Sequence, residues 1–152
     1  MEGGCFCGAV RYRLDTDTFD TGWCHCRICQ RVSGAPALVY TTVPRSSFTI
    51  VREDGLATIH TTSFGERRFC ARCGTHVAMT VAHEPDMIDV TVASLDAPER
   101  VVPGFHIFWA DKIAWFDPGD DLPRHKASRP DDPQPFERVV AQPSAPCSQP
   151  LS

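Results

Sequence analysis

A mainly β fold of short antiparallel strands is what this sequence predicts, on three observations. Short stretches alternate apolar with polar side chains, Val, Ile, Thr and Phe crowd those stretches, and turn-forming residues such as Pro44 and Asp54-Gly55 separate them. A chain of 152 residues suits one domain, in which roughly two-thirds of the extended surface can be buried. With 42% hydrophobic and 22% charged residues, the composition is that of an ordinary globular protein.

The elements follow in order. In "AVRYRL", Val10, Tyr12 and Leu14 fall on one face and Arg11 and Arg13 on the other, which is the period of a half-buried strand. "ALVYTTV", "SFTIVRE" and "LATIHTT" read as further strands, and "HVAMTVA" and "MIDVTVASL" continue the pattern. "FHIFWADKIAWF" reads as a core strand, with Trp115 and Phe116 as core aromatics. Counting each periodic stretch once gives about eight strands. No stretch has a helical apolar period, so the only helix expected is one turn after Cys29. Residues 1–126 read as one domain. Residues 127–152 are proline-rich with little apolar periodicity and are expected to form a disordered tail, in which Cys147 is a bystander thiol.

Charge and hydropathy narrow the partners. With 15 basic and 19 acidic residues, the net charge of −4 argues against a nucleic-acid or anionic-membrane surface. The longest apolar runs, such as Val77–Ala82, are too short to span a bilayer. "MEGGCFCGAV" lacks the basic start and apolar stretch of a signal peptide, so a cytoplasmic location with reduced thiols is expected.

Eight cysteines in such a compartment need a reason. Seven are clustered: Cys5 and Cys7, then Cys24, Cys26 and Cys29, then Cys70 and Cys73. Cysteines two apart on a strand point to opposite faces and bridge poorly, whereas in a turn they can aim at one ion, so zinc is the expectation rather than disulfides. "FCARCGTH" has the form of a zinc knuckle, in which the glycine permits a positive φ. Cys70 and Cys73 then need two more ligands. Taking Cys26 and Cys29 would make one zinc ribbon and leave Cys5, Cys7 and Cys24 without a role. Taking Cys5 and Cys7 would close one four-thiolate site and release Cys24, Cys26 and Cys29 as a second. Spacing favours two sites over one. A three-ligand site keeps an open coordination position, the usual arrangement of a catalytic zinc.

Five stretches in order and approximate spacing carry a resemblance: "GGCFCGAVRY", "CHCRICQRVSGAP", "RRFCARCGTHV", "IDVTVASLD" and "HIFWADKIAWFDPGDDLP". Over about residues 3–125 the chain resembles the glutathione-dependent formaldehyde-activating enzyme (GFA) family, which also includes centromere protein V. The resemblance implies a small β fold called Mss4-like or β-tent. It implies a structural zinc on Cys5, Cys7, Cys70 and Cys73 and a catalytic zinc on Cys24, Cys26 and Cys29, two ions per chain. The implied activity is that of a carbon–sulfur lyase resembling S-(hydroxymethyl)glutathione synthase, which joins formaldehyde to glutathione. Two alternatives stand beside it: the same fold acting on another small thiol or aldehyde, and a non-catalytic zinc-binding interaction module. The acidic charge counts against a chromatin role for the latter.

Three thiolates on Zn²⁺ leave a formal charge of −1, which favours binding a thiol over activating a carbonyl. Arg27 and Arg31 flank the motif and are candidates for a glutathione carboxylate, with a solvated surface as the other reading. His25, between two ligands, is expected to point away from their metal into a surface or supporting role. His76 reads as a strand residue. His106 and Trp109 read as core strand residues that also suit a pocket wall. Ser33 and Gly34 are expected to close the metal loop as a turn. Glu66 and Asp86 are available as bases, without a spacing that singles them out.

Overall fold

The computed structural model describes residues 1–16 and 19–130, and ten strands and one α-helix lie among them. The mainly β architecture follows the alternating stretches. β1 (Glu2–Gly4), β2 (Val10–Leu14) and β5 (Phe48–Glu53) form a three-stranded sheet in the order β1-β2-β5. A seven-stranded sheet has the order β10-β3-β4-β9-β8-β7-β6. Its members are β3 (Asp20–Cys24), β4 (Leu38–Pro44), β6 (Leu56–His60), β7 (Gly65–Cys70), β8 (His76–Val81), β9 (Met87–Thr91) and β10 (Phe105–Ile107).

The period-two faces pack together. Val10, Tyr12 and Leu14 are buried among Val43, Val77, Ile88, Val90 and Leu95 in the main core. Arg11 is turned outward, where its Nη1 donates to Asp96 Oδ1 at 2.8 Å. The Tyr12 hydroxyl reaches the Ser94 Oγ at 2.7 Å, so the buried ring keeps a polar partner. Burial pushes that phenol up to about 12.

Three departures from the expected elements have local causes. The strands number ten rather than about eight, because β1, β3 and β7 lie outside the stretches that read as strands, being short or carrying glycine, charge and cysteine in place of an apolar period. β10 pairs parallel to β3, with His106 opposite Trp23, whereas every other strand pair is antiparallel. Gly22 permits that approach, since a Cβ there would lie 2.1 Å from the Phe105 ring. The expected long strand over residues 105–116 ends at Phe108, whose left-handed φ of 55° turns the chain into a 3₁₀ turn at Trp109–Asp111. Trp115 is consequently 73% exposed rather than in the core, while Phe116 is half-buried and packs near Trp23.

The helix is longer than the one turn expected. α1 (Arg27–Ser33) begins before Cys29 and has Cys26 as its N-cap and Gly34 as its C-cap. Seven residues are too few to display an amphipathic period, and only Cys29 and Gln30 are buried. Most of the expected tail, including Cys147, lies outside the described residues. Within them, the chain after β10 returns to the body: Phe108 N donates to the Ala127 carbonyl at 2.9 Å, and Arg129 Nη2 contacts Asp20 Oδ2 at 2.6 Å. No helix among the described residues is long and apolar enough to cross a membrane.

Candidate active site: two thiol clusters and one cavity

The seven clustered cysteines gather into two groups. The sulfurs of Cys5, Cys7, Cys70 and Cys73 all lie within 4.8 Å of one another, and so do those of Cys24, Cys26 and Cys29. Cys26 and Cys29 therefore sit with Cys24 and not with Cys70 and Cys73.

The four-cysteine group is made by two loops. One follows β1 and returns into β2, and the other joins β7 to β8. Gly8 and Gly74, directly after Cys7 and Cys73, both have a φ of 75°, a conformation that carries little penalty only without a side chain. The Cys5–Cys7 and Cys7–Cys70 sulfur pairs are 3.5 and 3.7 Å apart. The edge of a zinc–thiolate tetrahedron, with Zn–S near 2.3 Å, is roughly 3.8 Å, so the donors fit such an ion. The Val10 amide donates to Cys5 Sγ at 3.2 Å, and the Phe6 amide donates to Thr75 Oγ1 at 3.1 Å, which ties one loop to the other. The Thr75 hydroxyl and amide beside Cys73 hold its thiol down to about 5.

The three-cysteine group stands at the end of β3 and the start of α1. Cys24 is the last residue of β3, Cys26 caps α1 by accepting the Cys29 amide at 3.3 Å, and Cys29 lies one turn in. The α1 frame is fastened internally: Ser33 Oγ donates to the Cys29 carbonyl at 2.7 Å, and Gln30 Nε2 donates to the His25 carbonyl at 2.5 Å and to the Asp111 carbonyl at 3.1 Å. Neighbouring thiols of Cys24 and Cys29, with the Cys29 and Ile28 amides, hold Cys26 down to about 3, while Cys26 and Cys29 push Cys24 well up. Three sulfurs this close cannot all carry charge without a cation, which is the donor chemistry of a metal site.

This group opens onto a cavity of about 920 Å³, whose lining includes Cys24, Cys26 and Cys29. None of the other four cysteines lines it. One wall is the seven-stranded sheet. Its register sets Thr42 opposite Asp89, Asp89 opposite Met79 and Met79 opposite Arg67, so one cross-strand row over β4, β9, β8 and β7 faces the space.

Arg67 and Asp89 are functional candidates that the sequence reading missed. Arg67 is only 3% exposed, with Nη2 3.5 Å from Cys29 Sγ and Nε donating to Thr61 Oγ1 at 3.1 Å. It thus brings a fixed positive charge to the thiol group. Its signal lay in "GERRFC", where alternation puts Arg67 on the same inward face as Gly65. Asp89 accepts the Thr42 hydroxyl at 2.6 Å, and burial pushes its carboxyl up to about 7. His76, read as a strand residue, begins β8 and also lines the cavity. Its Nε2 donates to the Ala78 carbonyl at 3.2 Å, and its Nδ1 is buried without a partner. Burial and then the Arg67 charge hold its pKa down to about 4.

Arg27 and Arg31 are exposed on α1 and both line the cavity. Arg27 also contacts Gln30 Oε1. Asp86 is exposed at the cavity and Glu66 pairs with Arg68 at 3.5 Å. His25 is not on the surface: it is fully buried, with Nε2 2.9 Å from Nδ1 of the equally buried His106. Trp109 sets its ring edge-on to both, with centroids 4.9 and 5.1 Å away. Burial, with His106 next, lowers the His25 pKa to about 4.

Two thiol groups, one of them facing a cavity, accompany a match to a known family. The family described as glutathione-dependent formaldehyde-activating enzyme matches residues 1–111. The chain belongs to the glutathione-dependent formaldehyde-activating enzyme family. Among its GFA relatives is a Halomonas elongata protein named "Putative glutathione-dependent formaldehyde-activating enzyme", 30% identical over 132 residues, which cover 76% of this chain and 78% of that protein. A Schizosaccharomyces pombe protein named an uncharacterized lyase is 27% identical over 90 residues, 58% of this chain and 64% of that protein. The crystal structure of a Rhodobacter sphaeroides protein superimposes with a TM-score of 0.54 at 27% identity, covering 63% of this chain and 88% of that one.

Proposed function

We propose that this GFA-family chain is a zinc-dependent carbon–sulfur lyase that joins a small thiol to an aldehyde, with glutathione and formaldehyde as the first pair to try. The observation that carries this reading is the asymmetry of the two thiol groups. Four cysteines pack together away from the cavity, while three converge on its wall beside a buried arginine. In this reading Cys5, Cys7, Cys70 and Cys73 hold a structural zinc, and Cys24, Cys26 and Cys29 hold a second. The second ion, when bound, supplies an open coordination position that favours the thiolate form of a substrate thiol at neutral pH.

The chain's own residues do the rest. Arg67 offsets the negative charge that three cysteine sulfurs gather, so a further thiolate is tolerated at that wall. Arg27 and Arg31, exposed at the cavity, orient the thiol through a ligand's carboxylates. The cavity holds thiol and aldehyde together and away from bulk water, which makes their encounter local. The carbon–sulfur bond forms between the thiol sulfur and the carbonyl carbon. The proton that leaves the sulfur is matched by one taken up at the former carbonyl oxygen, so the adduct is a hemithioacetal and net charge is unchanged. The reverse reaction retraces these changes.

The test is exchange spectroscopy on ¹³C-formaldehyde and glutathione with the zinc-loaded protein. Cross-peaks between free aldehyde and adduct should grow above the spontaneous rate. The Cys24→Ser variant should return to that rate while keeping its fold and one zinc per chain. Full activity in Cys24→Ser would overturn the assignment, and activity with other thiols but not with glutathione would move the substrate and keep the site.

A further inference from the structure

Behind the three-cysteine group, outside the cavity lining, two fully buried histidines and a partly exposed aspartate form a chain of hydrogen bonds that the proposed reaction does not use. His106 Nε2 faces the Asp120 carboxylate at 3.0 and 3.2 Å. A carboxylate accepts, so Nε2 carries the ring proton and Nδ1 is left as an acceptor. His25 Nε2 lies 2.9 Å from that Nδ1 and therefore donates to it. One carboxylate thus fixes the tautomer and ring plane of two histidines in succession. The last atom of the chain, His25 Nδ1, is buried with no partner.

We propose that the Asp120–His106–His25 relay is a positioning device that holds the Cys24–Cys26 segment in ligating geometry, so that it raises the metal affinity of the three-cysteine group selectively. The inference rests on the reading that this group holds a metal ion. His25 is the residue between two of the sulfurs, and it is gripped at every polar group but Nδ1. Its amide donates to the Ile107 carbonyl at 3.1 Å, its carbonyl accepts Gln30 Nε2 at 2.5 Å, and its ring enters the relay. The rings cannot swing: Trp109 stands edge-on to both, and Trp23 stacks on His106 at 6.0 Å. Asp120 is held in turn by the Leu122 amide at 3.2 Å, and β10 is flanked by residues 123–125 through the Pro123 carbonyl and the His125 amide. Outer hydrogen bonds of this kind set how well first ligands are aimed, and removing one typically weakens metal binding about 10–100-fold. The four-cysteine group is backed by local amides and Thr75, none of which belongs to the relay, and serves as an internal control in the same molecule.

The experiment loads the full chain with Co²⁺, whose thiolate charge-transfer and d–d bands report each site, with Cys24→Ser assigning which bands belong to which group. Affinities come from competition with a chromophoric chelator, and thermal unfolding is recorded beside them. Asp120→Leu and His106→Gln should weaken the three-cysteine group roughly tenfold and shift its bands, leaving the other site unchanged. Asp120→Asn keeps an acceptor and should stay within about twofold of the parent. Parallel weakening of both sites, or unchanged affinity at the three-cysteine group, would overturn the relay. If the parent binds no cobalt on Cys24, Cys26 and Cys29, the reading of the site falls with it.

Discussion

The two thiol groups use the same chemistry and differ in what surrounds them. Cys5, Cys7, Cys70 and Cys73 sit on two tight loops that both turn through a left-handed glycine, and their partners are local amides and a threonine. Cys24, Cys26 and Cys29 sit on a strand end and a helix start, with a buried arginine on one side, a cavity in front and paired histidines behind. The first arrangement could saturate an ion with four sulfurs, and it joins two parts of the chain. The second offers three sulfurs at a cavity wall, with polar groups beside them. Ligand count and surroundings, rather than the identity of the donors, separate a staple from a reactive centre.

The comparison is broken most strongly by exchanging one sulfur in each group. Cys70 is fully buried at the junction of β7 with its loop. Cys70→Ser should cost on the order of 5 kcal/mol or prevent folding, because metal binding at a closed site is part of the folding free energy. Cys24→Ser should leave thermal unfolding nearly unchanged. Equal losses in the two variants, read by circular dichroism and metal content, would erase the distinction.

A smaller effect is expected at Asp89, and it belongs to the cavity side alone. The folded carboxyl titrates at about 7, above the value near 3.9 of an unfolded chain. Between these values the folded state holds more protons than the unfolded one, so stability is greatest below about pH 4 for this group and is lost as pH rises towards 7. Asp89→Asn should remove that slope and stabilise the protein at pH 8 by on the order of 2 kcal/mol, water in the cavity reducing the full effect. Denaturant titrations of both proteins across pH 5–8 measure it, and an unchanged slope would mean that Asp89 is not the group responsible.

The smallest effect sharpens the picture at Arg67. Arg67→Gln should lower kcat/KM for adduct formation about tenfold, the value of one charge-assisted hydrogen bond, without changing metal content at the four-cysteine group. Steady-state rates and zinc analysis on one preparation give both numbers.

How far the sequence revealed this can be followed residue by residue. Val10, Tyr12 and Leu14 were legible because a half-buried strand writes its period directly into the chain. The grouping of seven cysteines was legible because short spacings force neighbours together. α1 was not, since seven residues hold too little period, and its cap is a cysteine sulfur rather than a serine or aspartate. Trp115 was not legible, because the strand that ends before it is stopped by a left-handed phenylalanine, a position where sequence gives no warning. Arg67 could have been found from alternation in "GERRFC". The pairing of His25 with His106 could not, because parallel pairing of β10 with β3 is a tertiary fact.

That pairing also imposes a timetable on the chain as it is made. His25 and His106 are 81 residues apart, and Arg129 meets Asp20 across 109. The four-cysteine knot has all its sulfurs once Cys73 has emerged during synthesis. The three-cysteine group has all of its own far earlier, at Cys29, yet waits for His106 and Trp109 before anything closes behind it. Contacts of such long range are slow to form. The three sulfurs are therefore all in the chain long before the side chains that come to stand behind them.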